Sequence, residues 1–116
     1  MILLIGSAAL MTITAAVHSA LGERHLIQPL ITLGTGVMRV ALAQRVLRFA
    51  WHLTSLLMLV CAFVLVWPGT PRTVIAVIGM AWLAAGLFDA LYTRGRHIGW
   101  PLLVAAGALP LICIAI

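Results

Sequence analysis

The sequence contains very little charge. It has no lysine, only two acidic residues, Glu23 and Asp89, and seven arginines, so that charged residues make up 8% of its 116 positions. Hydrophobic residues make up 65%, whereas typical soluble domains contain about 45–50%. A soluble domain of this length could not hide so much apolar surface in its core. The composition therefore predicts a single integral membrane domain that covers residues 1–116.

Several patterns that carry catalysis or ligand binding are also absent. The chain has no GxSxG, Walker A, HExxH or Rossmann glycine motif, which argues against a hydrolase. Cys61 and Cys113 lie in apolar runs without CxxC or zinc spacing, and such thiols behave as small hydrophobic side chains. The net charge is +5, but the arginines flank the apolar runs instead of forming a basic face, which argues against nucleic-acid binding.

Four apolar segments each approach the length of about 20 residues that a helix needs to cross a bilayer. We therefore predict an all-α fold, a four-helix transmembrane bundle. The predicted spans cover residues 2–21, 49–67, 73–93 and 98–116. The first segment lacks the basic residues and the cleavage site of a secretory signal, so we expect a retained span.

The segment between the first two spans is apolar but interrupted. Pro29, Gly34 and Gly36 break its apolar run, so we do not expect a regular span there. Residues 37–48 can form a helix that either lies in the membrane interface or extends the second span. We predict an interfacial loop or helix whose arginines reach the lipid headgroups, and attraction to anionic lipid explains these arginines better than a protein docking site.

The arginines predict the orientation of the chain. Six of the seven lie between spans one and two or between spans three and four, and only Arg72 lies between spans two and three. The positive-inside rule places the six in the cytoplasm. We therefore predict a multi-pass protein of a bacterial-type inner membrane, with both termini outside the cytoplasm.

Alternating span directions bring the histidines and acids to one layer near the cytoplasmic boundary. At 1.5 Å per residue, His18, His52 and Asp89 lie roughly 6–8 Å inside that boundary, and Glu23 and His25 lie at it. Ionisable groups within spans usually face the bundle interior or water and mark functional sites. We predict that His18, His52 and Asp89 converge, with Glu23 nearby.

Simpler explanations for these residues remain open. Polar side chains collect at helix ends without any shared function, and Glu23 can pair with Arg24 or Arg48 in an ion pair that stabilises little when it is exposed. His25 and His97 lie next to arginines, as is typical of solvated loops. Asp89 can equally be a structural partner of an arginine or a histidine.

Cofactor binding is the first functional interpretation. His18 and His52, at equal depth on neighbouring helices, can ligate the iron of haem b, with an arginine near the propionates. A divalent metal is the alternative, because imidazole together with carboxylate suits zinc or non-haem iron. The candidate metal ligands are His18, His52, Glu23 and Asp89.

The stretch HSALGERH, from His18 to His25, reads H-x-x-x-G-x-R-H. It resembles the haem-ligand motif in the cytochrome b anchor subunit of succinate dehydrogenase. The resemblance implies that His18 ligates haem b and that Arg24 and His25 lie near the propionates. The match covers eight residues, and Gln28-Pro29 stands where that family has an acidic residue. That subunit also has three spans and carries the motif on its second.

A broader resemblance covers most of the chain. Small four-span bacterial inner-membrane proteins show H-S-x-x-G-E at the end of span one and W-H at the start of span two. The matching residues are His18, Ser19, Gly22, Glu23, Trp51 and His52. This resemblance implies no activity, and whether the protein is an enzyme stays open.

Two further interpretations need no cofactor. The size and span count resemble the small multidrug resistance exporters, which work as dimers and carry a membrane-embedded glutamate in span one. Here His18 would have to carry the proton instead. The other interpretation is a non-catalytic accessory subunit of a larger membrane complex, whose small-residue stripes serve the helix contacts.

Overall fold

The structure, a computed structural model, describes all 116 residues and contains helices and turns but no strand. The helices are α1 (Ile2–Gly22), α2 (Gln28–Leu33), α3 (Ala41–Val66), α4 (Arg72–Tyr92) and α5 (Trp100–Ala115). A π-helical turn (Glu23–Ile27) joins α1 to α2, and a 3-10 turn (Gly36–Arg39) precedes α3. The prediction of an all-α fold is confirmed.

Three helical segments are long and apolar enough to cross a membrane. They are α1 with its continuation through α2 (32 residues), α3 (26 residues) and α4 (21 residues). The shorter α5 is also apolar but has 16 residues, about 24 Å of helix, against a hydrocarbon core of about 30 Å. The fold is therefore that of a helical membrane protein, and the fourth span stays a prediction.

The first helical segment continues past Pro29, where we expected an interruption. A proline has no N–H to donate, and its ring crowds the carbonyl of the residue four positions earlier. The π-helical turn relieves this crowding. The Gln28 N–H donates to the Glu23 carbonyl five residues back, so the turn is wider than a turn of regular α-helix. The helix ends instead at Gly34, whose φ of 56° is a backbone conformation that favours glycine.

Helix α3 begins at Ala41, well before residue 49, where the second span was predicted to start. Residues 41–48 contain no glycine or proline, and most of them favour helix. The structure therefore shows residues 41–48 as the first turns of α3, continuous with the predicted second span. The position of this segment relative to the membrane remains a prediction.

The helices form one curved layer in the order α3, α1, α5, α4. Helix α1 packs against both α3 and α5, and α4 packs on α5, whereas α3 and α4 hardly touch. The molecule measures 52 × 31 × 19 Å, so the layer is less than two helix diameters thick. Met11, Trp82 and Ala106 belong to its core, and the Ser7 hydroxyl donates to the Ala106 carbonyl at 2.6 Å between α1 and α5.

The two ends of this layer differ in polarity. At one end the Arg72 guanidinium donates to the Ile114 carbonyl. The opposite end consists of the end of α1, the start of α3, the end of α4 and the start of α5, and we call it the polar end. All four histidines, both acids and the other six arginines lie in or beside the segments that form it.

Close packing of α4 on α5 depends on Gly107. A Cβ atom at this position would lie 2.2 Å from the Leu83 backbone nitrogen, so Gly107→Ala must push the two helices apart. We expect this substitution to lower the free energy of unfolding in detergent micelles by about 1–3 kcal/mol. Gly6→Ala is the matched control, since its Cβ would meet only Leu109 Cδ1 at 3.6 Å. Equal stability of both variants would contradict the described packing.

Candidate functional site

Glu23 lies at the centre of the hydrogen bonds at the polar end. Arg48 Nε donates to its two carboxylate oxygens at 3.0 and 3.3 Å, and Arg48 Nη2 lies 2.8 Å from Oε1. Gln28 Nε2 also donates to Oε1, at 3.0 Å. Charge-assisted bonds of this kind are stronger than neutral ones, so Glu23 joins the end of α1 to the start of α3.

The local backbone explains the contact between Glu23 and Gln28. On a regular α-helix the neighbouring positions are three or four residues apart, and side chains five apart point in different directions. These two residues are five apart, and the intervening turn is π-helical. Its wider turn brings the Gln28 amide over the Glu23 carboxylate.

A chain of hydrogen bonds continues from Glu23 into the helical layer. His52, one turn beyond Arg48 on α3, places Nε2 3.0 Å from Glu23 Oε2 and Nδ1 2.9 Å from Ser19 Oγ. Ser19 Oγ in turn donates to Ser55 Oγ at 2.7 Å. Ser55 is buried. These five residues form what we call the hydrogen-bond chain, which runs from the half-exposed Arg48 to a buried hydroxyl between α1 and α3.

The hydrogen-bond chain has two self-consistent arrangements of protons. A carboxylate only accepts, and a serine hydroxyl has a single hydrogen to donate. When Ser19 donates to Ser55, both nitrogens of His52 must donate, so the imidazole is a cation. When His52 is neutral with its proton on Nε2, Nδ1 accepts from Ser19, and Ser19 accepts from Ser55. The charge of His52 is therefore coupled to the direction of the Ser19–Ser55 bond.

His18 lies beside the hydrogen-bond chain without joining it. Its ring stacks on the Trp51 indole, with centroids 4.3 Å apart and planes 3° from parallel. Trp51 Nε1 donates to the His18 carbonyl at 2.9 Å. Gly22 makes this arrangement possible, since a Cβ there would lie 2.0 Å from Trp51 Nε1. His18 Nε2 is buried and has no hydrogen-bond partner.

Asp89 belongs to a separate pair on the α4–α5 side. His97 Nδ1 lies 2.6 Å from Asp89 Oδ2, and the Thr93 hydroxyl donates to the Asp89 carbonyl at 2.7 Å. The His97 backbone N–H donates to the same hydroxyl at 3.3 Å. These contacts fasten the connection that follows α4, which is the structural role considered for Asp89.

The structure thus brings together some of the predicted site residues and separates others. Glu23 and His52 are in contact, His18 is adjacent to them, and Asp89 contacts His97 instead. Arg24 and His25 are exposed. We predicted that Asp89 would converge with the two histidines, and it does not join their hydrogen bonds.

The geometry also bears on the cofactor interpretation. Both ring nitrogens of His52 are hydrogen-bonded, so this conformation leaves no free nitrogen on His52 to pair with His18 around a haem iron. The residues present therefore do not fit a haem held by these two histidines together. No three histidine, cysteine or acidic side chains are grouped as a metal site. Haem b and divalent-metal binding remain predictions.

Sequence reasoning missed the two serines of the hydrogen-bond chain and Gln28. Their spacing carried a usable signal, because Ser19 precedes Glu23 by four residues and Ser55 follows His52 by three. Positions three or four apart share one face of a helix. Serines at these positions were therefore available as partners for the two titratable groups.

Comparison of the chain with protein-family models, with curated proteins and with solved structures found no match. No relative therefore supplies a role for any residue at the polar end. The contacts of the hydrogen-bond chain are the basis for the function proposed below.

The bridge between α1 and α3 is tested by Ser19→Ala. This variant removes the hydroxyl that contacts both His52 and Ser55 and leaves the buried Ser55 without its partner on α1. We expect the free energy of unfolding in micelles to fall by about 1–2 kcal/mol. Thr54→Val is the control, because the Thr54 hydroxyl bonds only to the Ala50 carbonyl of its own helix, at 3.0 Å. Wild-type stability of Ser19→Ala would show that the bridge does not hold the helices together.

Proposed function

We propose that this protein is a proton-coupled membrane transporter in which His52 takes up and releases the coupling proton. The hydrogen-bond chain is the observation that carries the proposal. It holds a histidine between the carboxylate of Glu23 and the hydroxyl of Ser19. An imidazole can bind a proton on a ring nitrogen and release it again, so this ring can exchange a proton with the groups around it.

Proton binding at His52 has a mechanical consequence. The cationic ring shares Glu23 with Arg48, whereas the neutral ring leaves Arg48 as the sole cation on that carboxylate. The same change reverses the hydrogen bond between Ser19 on α1 and Ser55 on α3. A proton thus biases the contact between two helices, which is the kind of two-state element that coupling requires.

The solute path that we propose lies between α3 and α4. A groove of about 240 Å³ opens there, where the two helices hardly touch. Apart from one threonine its lining is hydrophobic. The lining residues are Thr54, Leu57, Met58, Cys61, Ala81, Trp82, Ala85 and Leu103. An apolar lining of this size favours a small apolar solute that enters from the lipid.

Two copies would form the working unit. The molecule is 19 Å across in its smallest dimension, and a second copy placed against the open side of the groove would enclose the solute path. The six arginines of the polar end favour a cytoplasmic position for that end of an inner-membrane protein, with both termini outside. His52 would then exchange its proton with the cytoplasm.

Cofactor binding is a second candidate, favoured by the unpartnered Nε2 of His18. A buried imidazole nitrogen without a hydrogen bond is a free ligand position for haem b or a divalent metal. Protein purified with haem available would distinguish this candidate from transport. A Soret band that disappears in His18→Ala would favour cofactor binding.

The transport proposal is tested in proteoliposomes that enclose a pH-sensitive dye. After a pH gradient is imposed, we add indole or toluene as probes of the apolar groove. Wild-type protein should speed the collapse of the gradient with at least one probe, and His52→Gln should abolish the effect because glutamine does not titrate. His25→Gln is the matched control and should behave as wild type. If no probe acts, or if His52→Gln retains the effect, the proposal is wrong.

A further inference from the structure

The positive charge of the polar end is not balanced within the protein. Both acids already have partners, Glu23 with Arg48 and His52, and Asp89 with His97. The side chains of the remaining arginines of this end make no hydrogen bond or ion pair with the protein. These arginines are Arg24, Arg39, Arg45, Arg94 and Arg96. Their counter-charge must come from outside the chain.

Three of these arginines lie in or beside a segment that extends beyond the rest of the layer. We call residues 28–47 the tip; it comprises α2, the 3-10 turn and the first turns of α3. Leu33 lies eleven residues beyond Gly22 along a continuous helix, about 16 Å at 1.5 Å per residue. The headgroup layer adds only about 5–8 Å on each side of the hydrocarbon core. Held upright, the tip would therefore pass through the headgroups.

The surface of the tip does not suit water. Leu33, Val37 and Leu42 are 70%, 68% and 68% exposed, and Arg39 and Arg45 lie close to them along the chain. Such a surface needs a partner that is apolar and anionic at the same depth. Anionic phospholipid supplies both, since its phosphate lies directly above its acyl chains.

We propose that the tip is a binding site for anionic phospholipid and lies within the headgroup layer. The guanidinium groups of Arg24, Arg39 and Arg45 hold the phosphates, because a planar guanidinium can donate two parallel hydrogen bonds to phosphate oxygens. The apolar side chains between them insert at the boundary of the acyl chains. A tilt of the long helices brings the tip down to this depth.

The tip is already folded for this role. Gly34 and Gly36 have φ of 56° and 55°, which lets the chain reverse between α2 and α3. The Gln44 side-chain amide donates to the Met38 carbonyl at 2.8 Å and ties the 3-10 turn to α3. The segment that carries Arg39 and Arg45 thus has a fixed shape before it meets lipid.

Lipid retention tests the charge part of the proposal. Protein reconstituted in vesicles of mixed phosphatidylcholine and phosphatidylglycerol is extracted and analysed by native mass spectrometry. Wild-type protein should retain phosphatidylglycerol over phosphatidylcholine, and Arg39→Gln with Arg45→Gln should lower this preference at least about fivefold. The double variant Arg94→Gln with Arg96→Gln removes the same charge from the α4–α5 connection and should keep the preference. Equal losses in both double variants, or no preference in the wild type, would overturn the proposal.

The depth of the tip is tested independently of its charge. Leu33→Cys, in a chain whose Cys61 and Cys113 are replaced by alanine, is labelled with a fluorophore and reconstituted in the same vesicles. Spin-labelled headgroups should quench the label, and iodide in the water should not. The opposite pattern would place the tip in water, where a partner protein would have to cover it, and would overturn the proposal.

Discussion

The carboxylate of Glu23 joins the two longest helical segments of the molecule where they leave the apolar part of the layer. It accepts hydrogen bonds from Arg48 on α3 and from Gln28 on its own segment, and it contacts His52. Without this anion, Arg48 would bring a positive charge to the end of α1 with no compensation, and His52 Nε2 would lose its hydrogen-bond partner. The position of α3 against α1 depends on it.

This constraint explains why a chain with so few polar groups places several of them close together after residue 17. The first helical segment continues beyond the apolar region and past Pro29, and it also contacts α3. The π-helical turn allows the helix to continue past Pro29, and it directs the Gln28 side chain toward Glu23. Gly22 then admits Trp51, whose ring covers His18. The polar residues therefore connect the first helical segment to α3. The proton-coupled function that we propose depends on this same connection.

The sequence predicts the helical class and the approximate positions of the spans, because long apolar runs determine both. It does not predict the ends of the helices as well. Hydropathy does not indicate that α3 begins at Ala41. The first helical segment continues past Pro29 because its backbone hydrogen bonds shift to a π-helical pattern, and no periodicity in the sequence indicates this shift. For the site, counting residues from the ends of the predicted spans gives the depth of each side chain in the membrane. This count predicts that His52 and Glu23 lie at the same end of the molecule. Depth says nothing about which helices are neighbours. Asp89 is on α4, which packs closely on α5 and makes little contact with α3, and Asp89 pairs with His97 on its own side.

The distance between the Glu23 carboxyl carbon and His52 Nε2 is the most direct test of this account. It can be measured by solid-state nuclear magnetic resonance in lipid bilayers, with carbon-13 in the glutamate side chain and nitrogen-15 in the histidine rings. Glu23 and Asp89 are the only acids, and glutamate-specific labelling selects Glu23 alone. An Nε2–Oε2 separation of 3.0 Å predicts strong dipolar dephasing between the two labels. Absence of dephasing would show that His52 and Glu23 are not in contact and would contradict both the connection between the helices and the proton site.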